Sequence, residues 1–253
     1  MISRQIERLD TATGARAPAD DLLVDEAALV VAARGQPIAT LMRTPGDDVA
    51  LVRGFLFAEV GPALAARALT QVEPHRVELD ADPAELPGRT VLASAACGVC
   101  GRLELAALEG RARTVAADWQ LAATTVAALP DRLRARQPAF AATGGLHAAG
   151  LADRAGHIAA ACEDVGRHNA VDKLIGAALA TGAVPLAEHV LVLSGRAGYE
   201  LLEKAVLAGV PLVASVSAPS RLAVDVAERF GVTLCGFVRG GRLNVYSHGW
   251  RIT

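Results

Sequence analysis

Two thiols stand three positions apart in Ala96-Cys97-Gly98-Val99-Cys100-Gly101, with a glycine after each. Three chemistries use such a pair. A structural zinc ion takes four ligands, of which this motif supplies two. The remaining cysteines, Cys162 and Cys235, are isolated inside apolar runs and form no second pair. A redox disulfide of the thioredoxin kind opens a helix after a strand, whereas Gly98 and Gly101 disfavour a helix start. A nucleophilic thiol that carries sulfur or another group needs only an accessible loop, and the glycines provide one. The motif by itself leaves all three open.

Further stretches bear chemistry of a different kind. Ser194-Gly195-Arg196-Ala197-Gly198 follows an apolar run and precedes a helix pattern. A strand-to-helix turn with two glycines exposes backbone N–H groups to an anion, and Arg196 adds a bidentate donor. The Gly-Lys-Ser/Thr ending of a Walker loop is missing. Ser217-Ala218-Pro219-Ser220-Arg221 occupies the same position one unit later, and Phe237-Val238-Arg239-Gly240-Gly241-Arg242 reads as the tip of a final hairpin. Arg196, Arg221, Arg239 and Arg242 can share one rim, although any single loop arginine is also explained by solvation. Glu163-Asp164-Val165-Gly166-Arg167-His168-Asn169 packs acids, bases and an amide before a helix. Asp164 or Glu163 can hold an amine or a guanine edge, and His168 can donate to a ligand; helix capping explains part of the pattern. His147, after Gly144-Gly145, is by itself an ordinary core histidine, but with His168 it can face one cleft.

The elements that must position these groups follow from periodicity and punctuation. Residues 1–21 read as a loose polar tail, and residues 22–115 as a small α+β unit ending in the cysteine loop. Ala28–Ala32 and Ile38–Met42 form a hairpin through Gly35-Gln36-Pro37. Thr44 reads as an N-cap with Pro45 at the first helical position. Two strands are expected within 72–95, around Asp80-Ala81-Asp82-Pro83, with Thr90–Ala96 leading into the cysteines. Residues 116–253 form the second unit. There a helix over 120–136 is interrupted or kinked at Pro130, and Phe140–Thr143 and His147–Ala152 read as strands. Asn169 caps a helix that Gly182 and Pro185 end. Val190–Ser194, Leu212–Val216 and Val232–Val238 are buried strands, separated by helices over Tyr199–Ala208 and from Pro219 to Gly231. The alternation predicts an α/β fold, α+β overall, with a mostly parallel sheet covered on both faces. Ligands of such sheets sit beyond the carboxyl ends of the strands.

Composition narrows the class. The chain has 253 residues, 52% of them hydrophobic, and a net charge of −2, so bulk electrostatics point to neither nucleic acid nor membrane. No segment has the apolar length of a signal peptide or a membrane span, and a cytoplasmic location is expected, where thiols stay reduced. The only two lysines, Lys173 and Lys204, stand against 23 arginines and lie in the C-terminal half, which hints at positional chemistry there.

Taken together these stretches resemble the formate dehydrogenase accessory sulfurtransferase family, FdhD. The resemblance rests on Cys97–Gly101, Thr143–His147, Glu163–Lys173, Ser194-Gly195-Arg196, Phe237-Val238-Arg239 and Asn244-Val245-Tyr246, with Met42–Pro45 and Gly54-Phe55-Leu56 nearer the N-terminus. It implies a sulfurtransferase that takes persulfide sulfur from a cysteine desulfurase and passes it to the bis(molybdopterin guanine dinucleotide) molybdenum cofactor, which is then inserted into formate dehydrogenase. It implies Cys97 as the carrier with Cys100 beside it, and a homodimer. For the cofactor, or a guanine nucleotide that mimics it, the expected contacts are Ser194, Gly195, Arg196, Gly198, His147, Asp164, His168, Ser217, Arg221 and Phe237, Val238, Arg239, Gly240, Gly241, Arg242. The C-terminal unit is expected to be a three-layer, cytidine-deaminase-like mixed sheet without deaminase chemistry. No histidine is followed two residues later by glutamate, and Ala96 precedes Cys97 where a zinc deaminase carries proline. A cofactor-binding chaperone that moves no sulfur, or a thiol oxidoreductase, are the alternative functions.

Overall fold

The computed structural model describes residues 1–86 and 108–253. Cys97, Cys100 and the strand expected before them lie outside the described residues. The segment expected to be a loose tail is instead a hairpin of β1 (Ile2–Leu9) and β2 (Arg16–Leu23). Its strands alternate poorly in hydrophobicity, which hides them from a period-two reading. Strands β3 (Ala27–Ala33) and β4 (Gln36–Arg43) pair as expected. Helix α1 (Asp48–Glu59) starts later than expected, with Asp47 at the N-cap, because Thr44 is engaged elsewhere; the one-turn α2 (Pro62–Ala65) follows. Strands β5 (Leu69–Glu73) and β6 (Arg76–Leu79) turn at Pro74-His75, β6 ends just before the acidic Asp80–Pro83 stretch, and the small sheet has the order β4-β3-β6-β5.

The larger unit opens with α3 (Ala123–Arg134), which runs through Pro130, and α4 (Pro138–Thr143). The second is a correction, since Phe140–Thr143 reads as a strand from sequence. Pro138 starts the turn, and the carboxylate of Glu163 accepts from the amides of Ala139 and Phe140 at 3.0 and 2.7 Å. A side chain from a neighbouring strand thus supplies the cap that the local sequence lacks. Then come β7 (His147–Ala152), β8 (Ile158–Asp164), α5 (Arg167–Ala180), β9 (Val190–Leu193), α6 (Tyr199–Leu207), β10 (Leu212–Ser215), α7 (Arg221–Phe230), β11 (Thr233–Arg239) and β12 (Arg242–Ser247). The sheet order is β12-β11-β10-β9-β7-β8. Among the described strands β9, β10 and β11 pair in parallel, whereas the pairs β7–β8, β7–β9 and β11–β12 are antiparallel. The sheet is therefore mixed, as the three-layer expectation has it, and less parallel than the alternation of strands and helices suggests.

Both faces are covered. Leu191, Leu193, Val213 and Leu234 join a core with α1, α5, α6 and α7, while Val190, Val192, Leu212, Ala214 and Cys235 pack on α3. Burial on both sides is why these strands read as unbroken apolar runs. The first core continues into the small sheet through Leu29, Val31, Leu41, Val77 and Leu79. The junction is the crossing of α1 on α5. A Cβ on Gly54 would overlap the carbonyl of Asp172, and one on Gly176 would overlap that of Ala50. Glycine at both positions lets the two helix backbones touch.

Candidate functional site

The topology gathers the chemistry-bearing loops at one edge of the six-stranded sheet. His147 begins β7, which runs antiparallel to its neighbours, so it lies beside the ends of β8 (Asp164) and β9 (Leu193). The ends of β10 and β11 share this edge by parallel pairing, and Arg239 pairs with Arg242 at the start of β12. Helices α5, α6 and α7 all start here, at the carboxyl edge where open α/β sheets bind ligands.

The loops are tied to one another. Ser194 N donates to Ala148 O at 3.0 Å, and its Oγ accepts from Ala148 N at 2.8 Å. Ser215 Oγ donates to Gly195 O at 2.6 Å, and Ser217 O accepts from Phe237 N at 3.1 Å. Ala197 and Pro219 form a parallel bridge between the first and second loops. The third loop turns through Gly240 and Gly241, both at positive φ, as a two-residue hairpin demands. Phe237 also adopts a left-handed backbone, φ 51°, at a bulge in β11, and its half-buried ring lies 5.8 Å from the guanidinium carbon of Arg239. Arg196, Arg221, Arg239, Gly240, Gly241 and Arg242 are exposed on this edge. Val238 is a correction as a side-chain contact: its side chain is fully buried in the core beneath α3, so it supports the hairpin.

The helix starts differ. Gly166 and Gly198, the N-caps of α5 and α6, provide no side-chain cap, so the first-turn amides there are left for another acceptor. In α7 the Ser220 hydroxyl already accepts from Ala223 N at 3.2 Å, and Arg221 lies 3.8 Å from Asp225. The second loop is thus less open to an anion than its sequence implies.

Two histidines do face this edge. His147 is half-buried against Gly195, where an added Cβ would lie 3.2 Å from its Nδ1. Burial pushes its pKa down, and the nearby charges of Arg167, His168 and Arg196 push it further, so the ring is neutral at pH 7. His168 Nε2 lies 2.7 Å from a carboxylate oxygen of Glu200 in the first turn of α6. The contact with His168 holds the Glu200 carboxyl below its ordinary range, against the opposing effect of burial, and Arg167 and Lys204 add to it.

Asp164 belongs to the frame, which corrects its reading as a ligand acceptor. It is fully buried, and its two oxygens are used by four protein donors. These are Thr44 N at 3.2 Å, Gly166 N at 2.8 Å, Asn169 Nδ2 at 2.8 Å and Lys173 Nζ at 2.8 Å. Thr44 Oγ1 accepts from Val165 N at 3.1 Å and Thr44 O from Lys173 at 2.9 Å. These bonds explain why neither Thr44 nor Asn169 caps a helix. They also clamp the end of β4 onto the loop before α5. Lys204 pairs with buried Asp172 at 2.6 Å, so both lysines of the chain hold the frame. Burial pushes the Cys162 thiol up to about 11 and that of Cys235 to about 12, leaving neither as a thiolate at neutral pH.

Sequence reasoning missed Arg167 and Glu200 as site residues. An acidic residue in the first turn of a helix is a visible signal, but its partner, on another helix, is not.

These features define a three-layer α/β protein with a cationic, glycine-turned edge on its main sheet. The chain belongs to the FdhD/NarQ family, whose model matches residues 24–253. It is 45% identical over 258 residues to the sulfur carrier protein FdhD of Streptomyces avermitilis, covering 94% of this chain and 92% of that one. It is 44% identical over 260 residues to the protein of the same name from Mycobacterium tuberculosis, covering 92% of each. A crystal structure from Desulfotalea psychrophila, described as that of a formate dehydrogenase accessory protein, matches with a TM-score of 0.80 and 26% identity. It covers 100% of this chain and 99% of that one. Among the described residues no helix is long and apolar enough to cross a membrane.

Proposed function

We propose that the chain is a sulfur carrier in the maturation of formate dehydrogenase. It receives sulfur from a cysteine desulfurase as a persulfide on Cys97 and passes it to a bis(molybdopterin guanine dinucleotide) molybdenum cofactor held on the sheet edge. The cofactor is cargo. The reading is supported by relatives named as sulfur carriers and by the thiol pair at Cys97 and Cys100. The observation that carries the cargo assignment is the edge itself. Two helix starts without side-chain caps lie there beside exposed Arg196, Arg239 and Arg242, a donor set suited to phosphates. Gly195 and Gly198 permit close backbone approach, and His147 and His168 add imidazole donors.

The loading step balances without an outside oxidant. The Cys97 thiolate attacks the terminal sulfur of the donor's persulfide, a Cys97 S–S bond forms, and the donor leaves as thiolate. Intact-mass analysis after incubation with a cysteine desulfurase and cysteine tests this. The expected result is one added sulfur atom, absent in Cys97→Ala. Loading of that variant to the wild-type level would overturn the assignment. For the cargo, Arg239→Ala should weaken GDP binding severalfold with loading intact; unchanged affinity would remove the third loop from the site.

A further inference from the structure

We propose that Ser215 is a positioning residue of this edge, setting the Gly195–Arg196 peptide so that the Arg196 N–H faces a phosphate of the bound nucleotide. The inference rests on the proposed nucleotide site and adds a buried residue to it. Ser215 ends β10 and is shut off from solvent. Its hydroxyl donates to Gly195 O at 2.6 Å and accepts from Ser217 N at 3.4 Å. A serine hydroxyl has one proton to give. Ser217 O is also in reach, at 3.2 Å, but it is the farther acceptor and already receives Phe237 N. The proton therefore belongs to Gly195.

Peptide geometry carries this bond outward. In a planar trans peptide the carbonyl and the following N–H point in opposite directions. Gly195 O turned onto Ser215 thus turns the Arg196 N–H away from the buried end of β10. The neighbouring amides are committed, Ser194 N to Ala148 O at 3.0 Å and Ala197 N to Ala218 O at 3.2 Å. Among the described residues Arg196 N has no acceptor, and Arg196 is exposed. One residue then offers an amide and a guanidinium to the same anion. Glycine does not hold a peptide in one orientation by itself, so the bond from Ser215 supplies what Gly195 lacks. His147 closes the other side, where a Cβ on Gly195 would lie 3.2 Å from Nδ1.

Nitrogen–proton NMR of the full chain reads the Arg196 amide directly. In wild type, GDP should move this resonance downfield as the N–H meets a phosphate. GDP binding that leaves it in place overturns the proposal, whatever any variant does. Ser215→Ala should weaken GDP about tenfold, the scale of one hydrogen bond to a charged group. It should also abolish the Arg196 response while the Gly198 amide still answers GDP. Ser215→Thr keeps the hydroxyl and should restore both, with thermal unfolding as the control for folding. A merely structural serine predicts otherwise. Ser215→Ala then binds GDP as wild type does, or loses the Arg196 and Gly198 responses together, and either result overturns the proposal. A ligand-free measurement separates the serine from the site. The Gly195 carbonyl carbon should move upfield in Ser215→Ala, because its hydrogen bond is lost. An unmoved carbon beside intact GDP binding in wild type removes Ser215 and leaves the nucleotide site standing. A wild type that binds no GDP overturns the site, and this role with it.

Discussion

Asp164 and Lys173 form an ion pair of 2.8 Å with both side chains shut off from solvent. The pair joins three segments: the end of β8, the middle of α5 and, through Thr44, the end of β4. Its value lies in completeness, because every oxygen and the ammonium have partners. Lys173→Met leaves a buried carboxylate without its cation, which typically costs about 3–5 kcal/mol. Urea unfolding should show that loss, and the paired change Asp164→Asn with Lys173→Met should be milder than the single one. A single variant within about 0.5 kcal/mol of wild type would contradict the clamp.

The crossing of α1 on α5 makes a second prediction. Gly176→Ala places a methyl group on the carbonyl of Ala50, so the helices must separate. Overpacking of this kind costs about 1–3 kcal/mol or more, despite the better helix propensity of alanine. Calorimetry should find a lower Tm; a higher one would mean that the helices do not touch there.

His147 gives stability a pH dependence with a definite sign. Its folded pKa is depressed, chiefly by burial, below the ordinary 6.5. The unfolded chain therefore binds the proton first as pH falls, and stability declines from about 6.5 down through the folded value. Above that range both states are neutral and the contribution is constant. His147→Gln should flatten this part of a stability-versus-pH curve, and an unaltered curve would show that another group is responsible.

Cys97 and Cys100 differ in expected role. In the proposed transfer sulfur must reach the metal at the sulfide level, whereas the terminal sulfur of a persulfide is more oxidised, so two electrons must be supplied. Cys100 can supply them by attacking the bridging sulfur of the Cys97 persulfide, closing a Cys97–Cys100 disulfide and expelling hydrosulfide toward the metal; a dithiol reductant then resets the pair. Cys100→Ser should load sulfur normally yet deliver it slowly, with added dithiothreitol restoring the rate. Normal delivery by this variant without any reductant would show that Cys100 does not resolve the persulfide.

Local chemistry determined much of this protein before any tertiary contact was known. The apolar runs of β9, β10 and β11 were legible because both faces of each strand are buried, and Gly231 and Gly240-Gly241 marked a helix end and a hairpin because their positive φ favours glycine. The glycine-arginine loops were placed on one edge correctly, since strand-helix alternation fixes which ends are neighbours. Tertiary structure alone decided what the polar residues do there. Asp164 and Val238 read like site residues and are frame and core, because burial and partners are not local properties. Phe140–Thr143 became a helix through a carboxylate from β8, and Thr44 left its capping role for bonds to Val165 and Lys173. Glu200 met His168 only when two helix starts were brought side by side. Periodicity and turn chemistry act over a few residues, so the sequence could show which elements form. Ion pairs and caps between distant segments depend on how those elements pack, and there the fold chose the partners.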